Sequence, residues 1–212
     1  MNKLFLTSFF SGVASLFQDF AGEDITGKTV TFIPTAAIPE KVTFYVGSDK
    51  KSLQKLGLVV DELEITTATQ EEIKNKLETN DYIFVSGGNT FYLLQELINT
   101  GTDKIIKEQI EKGKIYIGAS AGSMILSPNI EYVNEMDDRE KAPALKNNFT
   151  ALNVIDFHPI PHFGNVPFKK AGEKIIEKYN STLKLISISN AQVITVKGDK
   201  IKIETKEKKK KS

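Results

Sequence analysis

The chain has 212 residues, 40% of them apolar and 26% charged, with a net charge of +1 and no cysteine. That is ordinary globular composition for one large domain or two small ones, long enough to bury about 70% of the unfolded surface. It excludes disulfides, zinc–thiolate sites and thiol nucleophiles, and its balanced charge makes no case for nucleic acid or an acidic membrane as partner.

Lys3 followed by Leu4–Phe17 has the outline of a short signal peptide, but Thr7, Ser8, Ser11, Gly12 and Ser15 interrupt the apolar run. A buried strand over Leu4–Thr7, then Gly12, then a helix over Val13–Phe20 fits better, and the expected location is cytoplasmic. No other stretch approaches 18 apolar residues, so no membrane span is expected. Val30–Ile33 reads as a strand between Gly27 and Pro34, and Leu58–Ile65 as another. Thr69–Glu78 reads as a helix with Glu71 and Glu72 in its first turn. Tyr82–Val85 is a strand, Thr90–Ile98 and Lys104–Lys112 are helices, and Ile115–Ile117 is a strand before the helical Ser123–Leu126. Leu185–Ile188, Gln192–Val196 and Lys200–Ile203 read as late strands. This alternation predicts α/β architecture, a mostly parallel sheet with helices on both faces, in one domain over residues 1–205. Residues 206–212 hold five lysines and Glu207 and read as a disordered lysine-rich tail; without them 23 basic residues face 26 acidic ones.

In such a sheet the site lies at the carboxyl ends of the strands. Two loops there are unusual. Ser86-Gly87-Gly88-Asn89-Thr90 follows one strand, and its glycines let backbone N–H groups approach an anion or oxyanion. It has neither the dinucleotide-binding spacing nor a Walker lysine, so a nucleotide-binding reading finds no support. Gly118-Ala119-Ser120-Ala121-Gly122 follows the next strand and is a G-x-S-x-G nucleophile elbow in the context that motif requires. Small neighbours let Ser120 take a strained conformation that lifts Oγ above the sheet edge, with the Ala121 amide at a helix N-terminus. The plainer alternative is a small-residue turn in which Ser120 only caps a helix.

A serine nucleophile needs a base, and the only histidines are His158 and His162. They lie in Asp156-Phe157-His158-Pro159-Ile160-Pro161-His162-Phe163-Gly164-Asn165, which the prolines keep extended, so both rings are expected on one side. A two-histidine metal site lacks any third ligand at a recognisable spacing.

Gly-Gly-Asn-Thr after one strand, Gly-Ala-Ser-Ala-Gly after the next and Pro-His-Phe some forty residues on together resemble the peptidase E family of aspartyl dipeptidases and cyanophycinase-like serine hydrolases. The resemblance covers nearly the whole chain. It implies a three-layer αβα, flavodoxin-like fold related to class I glutamine amidotransferases, with serine in place of their cysteine. It further implies Ser120 as nucleophile, His162 as general base, Gly88 and Ala121 as oxyanion-hole amides, and no cofactor. His158 has no part in the pattern.

Two departures from the family matter. The third triad member there is an acid near a late strand, and the matching position is Asn190, in Ser189-Asn190-Ala191-Gln192. An amide orients the imidazole but lends imidazolium no charge; Asp→Asn in a serine-protease triad lowers kcat about 10⁴-fold, about 5.5 kcal/mol of barrier. Glu131, Glu135, Asp137 and Asp138 read as solvated loop carboxylates, with Glu135 the least implausible of them as a substitute acid. Dipeptidase members also clamp the aspartyl carboxylate with an arginine after the histidine. The single arginine here is Arg139, and the matching stretch offers only Lys169, Lys170 and Lys174. The expected function is therefore serine-type hydrolysis of small peptides or amides with Asn190 as third member and without aspartyl specificity, by a monomer or homodimer that uses no metal. The alternative is a catalytically impaired relative that binds a small peptide or metabolite.

Overall fold

The computed structural model describes residues 1–207. Short β-branched and aromatic runs form the strands β1 (Lys3–Thr7), β2 (Thr29–Ile33), β3 (Val59–Glu62), β4 (Tyr82–Val85) and β5 (Ile115–Ala119). With β8 (Gln192–Lys197) and β9 (Lys200–Thr205) they make one sheet in the order β3-β2-β4-β5-β1-β8-β9. The first five strands pair in parallel; β8 runs antiparallel to β1 and to β9. The register sets Thr7 opposite Ala119, Ile33 opposite Val85 and Val85 opposite Gly118. Strands β1, β2, β4 and β5 thus finish along one edge, and the loops after them share it.

Alternate residues of each central strand go to opposite cores. Leu4, Leu6, Ile83, Val85 and Tyr116 face one side, packed with Ile73 and Leu77 of α4 (Gln70–Thr79), Phe91 and Leu94 of α5 (Thr90–Asn99) and Ile106 and Ile110 of α6 (Thr102–Glu111). Phe5, Phe32, Phe84 and Ile117 face the other, under α1 (Phe10–Val13), α2 (Phe17–Ala21) and α3 (Phe44–Lys55). Both faces being covered explains why β4 and β5 are continuously apolar rather than alternating. The result is the expected three-layer α/β fold with a mostly parallel sheet. Among the described residues no helix is long and apolar enough to cross a membrane.

Several elements differ from the sequence reading. The helix expected over Val13–Phe20 is two short helices, α1 and α2, joined by a 3-10 turn over Ala14–Leu16. Strand β3 stops at Glu62 because Glu64 turns the chain, its carboxylate accepting from the Thr66 N–H at 3.1 Å and from Thr35 Oγ1 at 2.8 Å. Helix α3 went unread since its apolar positions are few and Gly47 interrupts them. The histidine segment adds β6 (His158–Ile160), paired in parallel with β7 (Leu185–Ser187) as a separate two-stranded sheet. Of the expected tail, Lys206 and Glu207 are exposed and residues 208–212 lie outside the described part.

Candidate active site

Ser120 sits between β5 and the four-residue helix α7 (Ala121–Met124) with φ 49° and ψ −106°. A non-glycine residue in that region costs on the order of 1–3 kcal/mol and persists only where its surroundings over-determine it. They do. The Ser120 N–H donates to Thr7 O at 2.9 Å, and Ser120 O accepts from the N–H groups of Ser123 and Met124 at 2.9 and 3.0 Å. Ser123 Oγ lies 2.8 Å from Thr7 O and 3.0 Å from Gly118 O. The flanking glycines are required by contact: a Cβ on Gly118 would stand 2.5 Å from Gly122 O, and one on Gly122 would stand 2.1 Å from Val85 O. The turn is therefore pressed backbone to backbone onto β4.

The second loop is built alongside. Gly88 has φ 140°, and a Cβ there would meet Ala36 O at 2.1 Å. A Cβ on Gly87 would lie 3.2 Å from Ser120 Cβ, so the loop passes directly beside the serine. Asn89 caps α5, its Oδ1 accepting from the Tyr92 N–H at 2.9 Å, and its N–H donates to Ala36 O at 2.8 Å. Asp137 Oδ2 accepts from the Thr90 N–H at 2.8 Å and from its hydroxyl at 2.6 Å. Among the described residues neither the Gly88 nor the Ala121 N–H donates a hydrogen bond.

His162 follows β6 in a left-handed conformation, φ 58°. Its Nε2 is 3.0 Å from Ser120 Oγ and its Nδ1 is 2.7 Å from Asn190 Oδ1. A carbonyl oxygen only accepts, so Nδ1 carries the proton and Nε2 presents a lone pair to the serine hydroxyl. The Phe168 ring stacks on the imidazole at 4.8 Å between centroids. Burial pushes the His162 pKa below its ordinary value, and the Asn190 hydrogen bond opposes that shift only in part. The ring is thus neutral, the form a base needs, near pH 7. The Asn190 N–H in turn donates to Asn165 Oδ1 at 2.9 Å.

The other candidates lie elsewhere. The two histidines do not share a side, because the left-handed turn at His162 follows the end of the strand. His158 packs edge-on against Tyr132 at 5.2 Å, and its buried Nδ1 has no hydrogen-bond partner among the described residues. Glu135 pairs with Lys178 at 3.4 Å, and the His162 nitrogen it would have to reach is occupied by Asn190. Asp137 is not a solvated carboxylate: it anchors the start of α5, and burial raises its pKa to about 6 despite the two Thr90 hydrogen bonds. Asp138 Oδ1 accepts from the Glu140 N–H at 3.0 Å, and Glu131 is exposed. Arg139 pairs with Glu140 at 3.7 Å, both exposed. Lys169, Lys170 and Lys174 are exposed on α8 (Lys169–Tyr179), the first two just beyond Phe168. No group of three or more histidine, aspartate or glutamate side chains among the described residues could hold a metal ion.

Sequence reasoning passed over Ser8, Asn165 and Phe168. Ser8 registered only as an interruption of an apolar run. Its signal was its place, the first residue after a strand that ends at the same edge as β5.

The family model described as Peptidase family S51 matches residues 4–204. An uncharacterized peptidase of Listeria monocytogenes serovar 1/2a is 51% identical over 95% of this chain and 97% of its own length. One of Pasteurella multocida is 51% identical over 94% and 95%. The solved structure of a Listeria monocytogenes EGD-e protein assigned to peptidase E superposes with TM-score 0.93 at 49% identity, covering 98% of this chain and all of that one. A peptidase from an acI-B1 actinobacterium, at 23% identity and TM-score 0.72, shares the fold.

Proposed function

Because the chain belongs to peptidase family S51, we propose that it is a serine-type hydrolase of small peptides or amides in which Ser120, His162 and Asn190 act as nucleophile, base and orienting group. One observation carries this reading: a single imidazole reaches Ser120 Oγ at 3.0 Å and the Asn190 carbonyl at 2.7 Å. Ser120 Oγ attacks the substrate carbonyl while Nε2 takes its proton. The oxyanion is received by the Gly88 and Ala121 N–H groups, both without a partner among the described residues. Imidazolium then protonates the leaving amine, and water hydrolyses the acyl-enzyme by the same steps.

Asn190 sets the tautomer but leaves the imidazolium without a countercharge. Proton transfer in both directions is slowed, and activated esters, whose leaving groups depart unprotonated, react far better than amides. Aspartyl dipeptides are poor substrates, because Arg139 is paired with Glu140 and the exposed lysines of α8 cannot form a bidentate fork. Turnover of an Asp-X dipeptide at about 10 s⁻¹ would show that a lysine serves as clamp.

The test is labelling with a fluorophosphonate, in which Ser120 Oγ bonds to phosphorus and fluoride leaves. Stoichiometric labelling that disappears in Ser120→Ala supports the reading; labelling that persists in that variant overturns it. The neutral third member also favours a second reading, a relative that binds a peptide without turning it over. Absence of both labelling and ester hydrolysis, with retained peptide binding, would decide for it.

A further inference from the structure

The Ser8 hydroxyl is a junction. Buried at the carboxyl end of β1, it accepts the His162 N–H at 2.9 Å and shares its own proton between Ile188 O and Ser189 O, each at 3.1 Å. One side chain therefore ties the backbone of the base to the two residues that precede Asn190. We propose that Ser8 is a positioning residue, holding His162 and Asn190 in the one relative placement in which the imidazole spans Ser120 Oγ and the Asn190 carbonyl. This rests on the reading of Ser120 and His162 as nucleophile and base.

Three features make the junction more than a satisfied buried hydroxyl. First, His162 is left-handed at φ 58°, which a β-carbon disfavours, so that conformation depends on what fixes its backbone. The Ser8 oxygen is the acceptor of its N–H, and the next N–H, of Phe163, donates to Ile188 O at 3.0 Å, the carbonyl that Ser8 also contacts. Second, the Asn190 backbone is seated on the segment that follows Ser8: a Cβ on Gly12 would stand 2.4 Å from Asn190 O, so that glycine exists to let the carbonyl in. Ser8 and Gly12 thus bring one stretch of chain against both members of the His162–Asn190 pair. Third, the third member is neutral. A carboxylate attracts an imidazolium over several ångströms, because Coulomb energy falls only as 1/r. An amide carbonyl helps only while distance and angle are right. Misplacement that an acid would tolerate therefore costs this site its orienting group.

The decisive variant is Ser8→Ala, with Ser8→Thr keeping the hydroxyl. Expected for Ser8→Ala is a loss of about 10²-fold in the fluorophosphonate labelling rate of Ser120 and in kcat on p-nitrophenyl acetate, per folded molecule, with KM within about threefold. Ser8→Thr should recover most of it. If Ser8→Ala does not fold, Ser8→Cys replaces it, since a thiol is a weak acceptor for the His162 N–H, and the same direction is expected. A structural hydroxyl could also lower rates, so two further readouts decide. The chain has two histidines, so ¹⁵N-histidine NMR resolves both rings; His162 should be the Nδ1–H tautomer in the wild type and a tautomer mixture in Ser8→Ala. In the Asn190→Ala background Ser8→Ala should cost less than about threefold, because the alignment it protects is already gone. An unchanged tautomer, additive losses, or a labelling rate that follows only the folded fraction would overturn the proposal. Persistent labelling in Ser120→Ala would instead sink the hydrolase reading.

Discussion

The two sides of the site are held by different forces. On the Ser120 side, Gly118, Gly122 and Gly88 let backbone press on backbone at distances where a methyl group cannot enter. On the His162 side Gly12 makes a like approach to Asn190 O, but the placement of His162 and Asn190 is otherwise fixed by N–H groups that donate to Ser8 and Asn165, which lie 154 and 25 residues away from their partners. Steric exclusion allows no graded change. A hydrogen-bonded frame can be altered one side chain at a time, and this is the side on which the chain carries an amide instead of an acid.

The largest expected effect tests the steric side. Gly122→Ala puts a methyl against Val85 O with only backbone to give way, and should cost at least about 3 kcal/mol or abolish folding, read by thermal unfolding. Asn190→Ala should unfold at close to the wild-type temperature. If both variants unfold alike, the two sides are not held differently.

That contrast also explains what was legible in the sequence. Gly118-Ala119-Ser120-Ala121-Gly122 and Gly87-Gly88 could be read because steric demand leaves few residue choices, and strand, turn and helix lie within a few positions of one another. Strands β4 and β5 were legible because both faces of the sheet are buried there, so each is an unbroken apolar run, and β2 was legible as a β-branched run between Gly27 and Pro34. Ser8 was not legible, since its meaning depends on a residue 154 positions away. Nor was α3, whose buried Asp49 breaks the apolar pattern of that helix.

Asp49 gives the next effect in size. It lies under the His162 side, its Oδ1 accepting from the Ser11 N–H at 3.0 Å, next to the glycine that seats Asn190. Burial raises its pKa to about 7. The folded state then binds a proton that the unfolded chain, with an ordinary pKa of about 3.9, releases. Stability from this group is complete below about pH 4 and is lost as pH rises through 7. Asp49→Asn keeps the acceptor without the ionisation. It should stabilise the protein by about 2–4 kcal/mol at pH 8 and by little at pH 4, as denaturant titration at the two pH values would show. An equal gain at both would mean that Asp49 does not titrate in this range.

Asn190→Asp is smaller in energy and bears directly on chemistry. If the frame holds the new carboxylate against Nδ1, kcat on an activated ester should rise about 10-fold, about 1.4 kcal/mol, well below the ~10⁴ ceiling because the site is built around an amide. Asn190→Glu belongs beside it as the longer acid. Normal folding and labelling with no gain in either would remove Asn190 from the third place.

The smallest effect concerns the pH at which His162 takes up a proton. Burial holds the His162 pKa below 6.5, so the acid limb of kcat/KM for the ester should lie below pH 6.5. Its folded pKa being depressed, His162 adds stability above about pH 6.5 that disappears as pH falls, the reverse of Asp49. Phe168 shields one face of the ring. Phe168→Ala admits water there, eases charging of the imidazole and should move the limb upward by less than about one pH unit. Asn190→Asp should move it in the same direction by another route, a charge beside Nδ1 instead of water on the ring face. Added salt separates the two, since it screens a partly exposed ion pair and leaves desolvation untouched. A limb that shifts in Phe168→Ala and is indifferent to salt shows that the aromatic stack, rather than any hidden carboxylate, tunes the base. A limb that stays put shows that the ring is kept dry by the rest of its surroundings, with Phe168 serving only as packing.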